Sequence, residues 1–241
     1  MISCVGWRDT PQTVRRPGVS TGMTDVQLVV FDLDGTLVDS SADLANAVNA
    51  LLIDLGVSRL PDPAIVAMVG EGAAVLVGRA LNASGLDPDT PGALDRFLVH
   101  YDRHLLDHTR AYPGMEETLQ TLAPQLPLAV LTNKPAQATE RVLEGLGLRG
   151  YFREVIGGDT AFGRKPLIAG LAHLAETLAR SADQVVLVGD SPVDLATARN
   201  AGARICLARY GFGYRFAPED FRGDEWFIDA PRDLLGVLND S

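Results

Sequence analysis

Short apolar runs, each closed by a polar rim, set the rhythm of this chain. Leu28 to Phe31, Leu128 to Leu131 and Val185 to Val188 carry no polar residue. Uninterrupted apolar runs of this length are what a strand covered on both faces requires. Arg204 to Leu207 reads as a further core strand, Glu154 to Ile156 as a weaker one, and Glu225 to Ile228 as an edge strand. Between them the apolar positions change to helical spacing. Leu44, Val48, Leu51 and Leu55 mark a helix that Gly56 stops; Ser40 and Asp43 stand at its start with the spacing of a capping box. Helices are expected over 62–69 and 72–83, parted by Gly70-Glu71-Gly72, and over about 91–109. Pro113-Gly114 opens another that ends near Pro124. Val142, Leu143 and Leu146 face one begun at Pro135, and Leu167, Leu171, Leu174 and Leu178 face the next. A helix from Pro192 to about Ala201 and one from Pro231 to Leu238 complete the pattern.

Alternating strands and helices predict an α/β fold, a doubly wound parallel sheet with helices on both faces. No strand pattern interrupts residues 40–110, so that block reads as an inserted all-helical cap domain. The expected organisation is an α/β core over 23–39 and 111–241, a helical cap over 40–110, and a polar, poorly ordered tail over 1–22.

Composition narrows the partners. With 241 residues and 46% hydrophobic content, the chain suits one large domain or a domain with an insertion. A net charge of −10 argues against nucleic acid, whose phosphates need a basic surface. No apolar run reaches the ~20 residues of a membrane span. The tail lacks the apolar segment of a secretory signal, Met23 is a second candidate start, and the cytosol is the expected compartment. Cys4 and Cys206 imply no disulfide framework. A monomer or homodimer is expected.

The chemistry gathers where the strands end. In parallel sheets ligands sit beyond the carboxyl ends of the strands. The first strand is followed by Asp32 and Asp34, which leave an extended backbone on the same side, and by Gly35, which permits a sharp turn. Two carboxylates so close repel unless a cation or proton intervenes, and Mg²⁺ favours a few carboxylates with water and phosphate oxygens. The second strand ends in Thr132-Asn133, the Val185–Val188 strand in Gly189-Asp190, and Lys165 is expected at the start of a helix on the same rim. These are parts for phosphoryl transfer to an aspartate. Asp32 is the expected nucleophile, and Asp34 the acid for the leaving alcohol and base for the attacking water. Lys165, the Thr132 hydroxyl and the Asn133 amide are expected to meet the phosphoryl oxygens. Mg²⁺ is expected on Asp32, Asp190 and the Asp34 carbonyl.

Asp32-Leu33-Asp34-Gly35-Thr36, Thr132-Asn133, Lys165-Pro166 and Gly189-Asp190-Ser191 with Asp194, in that order, resemble the haloacid dehalogenase superfamily of phosphatases over residues 26–240. The block at 40–110 resembles that family's type-1 cap. Leu37-Val38-Asp39-Ser40, Val69-Gly70-Glu71-Gly72, Thr132-Asn133-Lys134-Pro135, Gly157-Gly158-Asp159-Thr160 and Tyr210-Gly211-Phe212-Gly213 resemble its phosphoglycolate phosphatase branch. The stretch Leu167-Ile168-Ala169-Gly170 departs from it. The resemblance implies a Mg²⁺-dependent phosphomonoesterase acting on a small phosphate ester, 2-phosphoglycolate first among them, through an aspartyl-phosphate.

Plainer readings stand beside these. Asp194 fits a helix cap as well as a supporting place beside a metal, and Asp39 fits a helix start. His100, His104 and His108 recur at helical spacing, yet a solvated cap face accounts for them better than zinc does. Glu71 and Arg79 suit a helix surface. Rival functions are a sugar-phosphate phosphatase, a pyrophosphatase, a phosphoglucomutase, a dehalogenase, a phospho-receiver module or an acidic binding protein. A receiver needs neither Asp34 as an acid nor a cap.

Overall fold

The structure is a computed structural model and describes residues 25–240. The tail expected over 1–22, with Cys4 and Met23, lies outside the described residues. The chain runs β1 (Leu28–Phe31), β2 (Val38–Asp39), α1 (Ser41–Asp54), α2 (Asp62–Val66), α3 (Ala73–Ala83), α4 (Ala93–Arg103), β3 (Arg110–Ala111), α5 (Met115–Leu122), β4 (Leu128–Leu131), α6 (Ala136–Gly145), β5 (Glu154–Ile156), α7 (Ala169–Thr177), β6 (Val185–Gly189), α8 (Pro192–Ala201), β7 (Arg204–Ala208), β8 (Trp226–Ile228) and α9 (Asp233–Asp240).

Six strands form one sheet in the order β5-β4-β1-β6-β7-β8, and every pairing is parallel. Side chains alternate across it. Val29 and Phe31 of β1, with Val186 and Val188 of β6, join Met115 and Leu119 of α5, Val142 of α6 and Leu234 of α9. Leu28, Val30, Val185 and Leu187 join Leu171 and Leu174 of α7 and Leu195 and Ala198 of α8. Both faces are therefore covered, which is why the strand residues are apolar without alternation. The cap helices α1 to α4 fall between β2 and β3, and their buried residues are continuous with the first of these layers.

Cap and core are joined through an antiparallel pair, Val38 opposite Ala111 and Asp39 opposite Arg110. Strands of two residues are too short for periodicity to reveal. Beside them the expected capping box gives way to longer-range bonds. Ser40 is at the N-cap of α1 but makes no capping bond there. Its hydroxyl donates to Asp34 Oδ1 at 2.6 Å. The Asp43 carboxylate, buried, accepts from the backbone of His108 (3.0 Å) and Thr109 (2.8 Å) and from the Thr109 hydroxyl (2.7 Å). The Thr109 donors outcompete the local cap because they are buried and need an acceptor. Asp39 does serve the helix start, its Oδ1 accepting from Ser41 N at 3.0 Å.

Other expectations are corrected too. α4 ends at Arg103, so His104 is its C-cap and His108 lies beyond it. His100 pairs with Asp54 and His104 with Asp107. α7 begins at Ala169, not at Leu167, which is 62% exposed. Lys165 therefore sits in a loop ahead of the helix. Glu71 and Arg79 pair with each other on the surface. Cys206 is buried and unbonded. Among the described residues no helix is long and apolar enough to cross a membrane.

Replacing Asp43 by Ala strands the two Thr109 donors in the interior. The expected loss is about 2–3 kcal/mol, measured as a lower urea midpoint; an unchanged midpoint would mean the tie is dispensable.

Candidate active site

β1 is the centre of the site because its two neighbours, β4 and β6, carry the other functional ends. The chain passes from β4 and β5 on one side of β1 to β6 on the other, so the sheet opens a crevice there. Asp32 follows β1 directly, its backbone N–H donating to Val188 O at 2.9 Å. Asp190 follows β6, and Asp194 lies in the first turn of α8.

Carboxylate oxygens of Asp32, Asp190 and Asp194 lie within 4.8 Å of one another, and all three residues are buried. One ammonium stands among them. Lys165 Nζ is 2.8 Å from Asp32 Oδ1 and 2.6 Å from Asp194 Oδ1. The Asp32 contact is close but poorly aligned, and Asp32 Oδ1 has no hydrogen-bond partner. Asp194 serves as the expected cap, its Oδ2 accepting from Ser191 N (3.1 Å) and Ser191 Oγ (2.5 Å), and its Oδ1 also accepts from Lys165. Asp190 Oδ2 accepts from Gly213 N at 2.7 Å. Gly35, at φ +90°, and Gly211 lie so close that a Cβ on either would overlap the Asp190 side chain. Glycine is required at both by space, and at Gly35 by conformation as well.

Burial pushes the Asp32 carboxyl up to about 6; Lys165 opposes this, and Asp194 and Asp34 add to it. Asp190 is raised well above the usual carboxylate range by burial first, then by Asp194 and Asp32, against the Gly213 N–H. Burial alone would lower Lys165, but Asp194 and Asp32 outweigh it and hold the ammonium above its ordinary range. Three buried carboxylates facing one ammonium leave an uncompensated negative charge, and unpaired buried charge is costly. An all-oxygen donor set that carries more negative charge than Lys165 offsets fits a divalent cation.

Thr132 and Asn133 follow β4. The Thr132 hydroxyl accepts from Lys134 N at 3.3 Å and lines a cavity of about 460 Å³ beside Asp32 and Asp34, with cap residues Leu76, Phe97 and Tyr101 on its far side. Asn133 also lines that cavity, and its amide is engaged by the neighbouring backbone. Its Nδ2 donates to Gly70 O (3.0 Å) and Lys165 O (3.1 Å), and its Oδ1 accepts from Lys165 N (2.7 Å). Asn133 is the brace that fixes the Lys165 loop and ties it to the cap.

Asp34 lines the same cavity. Its carboxylate is outside the acidic triad and accepts from Lys134 Nζ at 2.9 and 3.1 Å as well as from Ser40. Lys134 had been read only as part of a motif. Its role depends on a partner from the cap, Tyr101, which periodicity along β4 and α6 cannot reveal. The backbone N–H of Gly213 was likewise hidden, although the Tyr210-Gly211-Phe212-Gly213 stretch was visible.

The sequence pattern of the haloacid dehalogenase-like hydrolases matches residues 29–208. The chain belongs to this family. Among curated members it is 44% identical to the phosphoglycolate phosphatase of Rhodospirillum rubrum over 192 residues, 76% of this chain and 80% of that protein. It is 41% identical to that of Chromobacterium violaceum over 218 residues, 88% and 96% of the two chains. The crystal structure of a predicted phosphoglycolate phosphatase from Haemophilus somnus superposes with a TM-score of 0.81 at 30% identity, covering 90% of this chain and 99% of that one. These alignments span both the core and the cap of this hydrolase.

Protons and a cation compete for the same raised carboxylates. At pH 7.5 a divalent cation at about 100 times its Kd is expected to stabilise the protein by roughly 2.7 kcal/mol, read as a rise in Tm. Asp32 is increasingly protonated below its value of about 6, so the rise shrinks as pH falls and is small at pH 5. Asp190→Asn removes it at either pH. A cation-induced rise equal at both pH values would contradict the assignment.

Proposed function

We propose that this hydrolase is Mg²⁺-dependent and converts 2-phosphoglycolate to glycolate and phosphate through an aspartyl-phosphate on Asp32. That it is a phosphoric monoester hydrolase rests on its family and its relatives. The observation that carries the finer reading is the buried meeting of Asp32, Lys165, Asp190 and Asp194, with Asp32 also on the wall of a cavity of about 460 Å³ that has room for a small ester. The substrate is supported by the relatives in Rhodospirillum rubrum and Chromobacterium violaceum, both phosphoglycolate phosphatases.

In the first half-reaction an Asp32 carboxylate oxygen forms a bond to phosphorus as the bond to the glycolate oxygen breaks. Asp34 protonates that departing oxygen. In the second half-reaction Asp34 takes a proton from water, whose oxygen attacks phosphorus; the bond to Asp32 breaks and phosphate leaves. Lys165 holds a fixed positive charge beside Asp32 throughout, and the Thr132 hydroxyl donates to a phosphoryl oxygen. Asp32, Asp190 and the Asp34 carbonyl would hold Mg²⁺, which when bound offsets charge on the phosphoryl oxygens. Asp194 orients Lys165 through the 2.6 Å contact. The cap excludes water and closes the cavity. Uncatalysed phosphate-monoester hydrolysis needs acceleration of up to about 10²¹-fold, which dividing the reaction into two assisted steps serves.

The test is a phosphate-release screen over small phosphate esters, with Mg²⁺ present and then chelated. The expected result is highest kcat/KM on 2-phosphoglycolate, loss on chelation, and no measurable turnover by Asp32→Asn. Turnover that survives Asp32→Asn would refute the covalent route. Transfer of the phosphoryl group to a second hydroxyl, with no phosphate released, would make the protein a mutase instead.

A further inference from the structure

Lys134 has no part in the steps above, yet it is a buried cation on the wall of the reaction cavity. Of the two basic side chains lining that cavity, Arg103 is exposed at the end of α4, whereas the Lys134 side chain is 2% exposed. Its three ammonium hydrogens are all directed. Two meet Asp34 Oδ1 and Oδ2 at 2.9 and 3.1 Å, and the third meets the hydroxyl of Tyr101. Tyr101 comes from the cap. It is itself buried, stacks on Phe97 at 5.7 Å, and sets its ring 4.5 Å from the Lys134 nitrogen. The cap thus fixes where this cation stands.

Stability does not account for the arrangement. A buried ion pair is on balance about as stable as an apolar pair of the same size, because desolvation offsets the attraction. Leu76 and Phe97 are among the residues that line the same cavity, and in a mostly apolar pocket a few placed charged groups set which ligand is selected.

We propose that Lys134, held by Tyr101, is the specificity-determining residue that pairs with the carboxylate of the substrate, and that it selects esters whose phosphoryl oxygen lies on the carbon adjacent to a carboxylate. This rests on the phosphoglycolate reading and deepens it. Asp34 acts on the leaving oxygen, and Lys134 grips both oxygens of Asp34. In 2-phosphoglycolate the carboxylate carbon is two bonds from that leaving oxygen. A substrate carboxylate therefore arrives beside the ammonium and exchanges with one Asp34 oxygen, while Ser40 keeps its 2.6 Å bond to Asp34 Oδ1. An acid with one more methylene between ester oxygen and carboxylate overshoots.

The experiment compares kcat/KM for 2-phosphoglycolate, for ethyl phosphate, which has a methyl group in place of the carboxylate, and for the phosphate ester of 3-hydroxypropionate. The intact enzyme and Lys134→Met are both measured with Mg²⁺ present. The intact enzyme is expected to favour 2-phosphoglycolate over ethyl phosphate on the order of 100-fold, the value of a charge-assisted contact, and over the longer acid by about 10-fold or more. In Lys134→Met the preference over ethyl phosphate collapses, chiefly through KM for 2-phosphoglycolate. A preference that survives in Lys134→Met overturns this inference and leaves the phosphoglycolate reading intact. An intact enzyme that treats 2-phosphoglycolate and ethyl phosphate alike overturns that reading and this one with it. The longer acid keeps the test decisive should Lys134→Met not fold: an intact enzyme equally active on both acids overturns the inference.

Discussion

Three buried carboxylates around one ammonium is the constraint from which the rest of this structure follows. Lys165 reaches Asp32 and Asp194, and Asp190 is left with a single backbone donor. In a low-dielectric interior such an imbalance drives protons onto the acids or brings in a cation. The first of these is visible in the raised Asp32 and Asp190. The second would give the cluster chemical use, since a cation that balances the acids would also balance a phosphoryl group.

The fold supplies that concentration of charge by its winding order. β1 is flanked by the strands that follow in two separate excursions, so residues distant along the chain end on one rim. Backbone ties then remove the slack. Asn133 fixes the Lys165 loop, Ser191 fixes Asp194, and the loop carrying Gly211 and Gly213 closes on Asp190. The cap takes part through fewer but equally directed bonds: Asn133 to Gly70, Lys134 to Tyr101, and Arg215 to Ala67 O at 2.6 Å. A site assembled across two bodies in this way can be complete only when they meet, which suits a reaction that must exclude water.

Much of this was legible from residue order because strand burial and strand ends leave a direct trace. The apolar runs at Leu28, Leu128 and Val185 and the acids that follow them required no knowledge of the cap. What escaped were features decided by tertiary partners. Ser40 and Asp43 have the spacing of a helix cap, but Asp34 and Thr109 compete for them across the fold. Leu167 fits a helical stripe, yet the chain must first bring Lys165 inward, and α7 begins only afterwards. Lys134 lies one residue beyond Asn133 and attracted no assignment, because its meaning comes from Asp34 and Tyr101, each far away in the chain. Gly35 was legible as a turn residue and Gly211 as part of a motif; that both make room for one aspartate was not.

The most direct test of the charge argument is a crystal of the protein grown with Mn²⁺ in place of Mg²⁺ and measured for anomalous scattering. One strong peak between the carboxylates of Asp32 and Asp190, beside Lys165, is the predicted result. A peak elsewhere, or none at that position with Mn²⁺ in excess near neutral pH, would contradict the account.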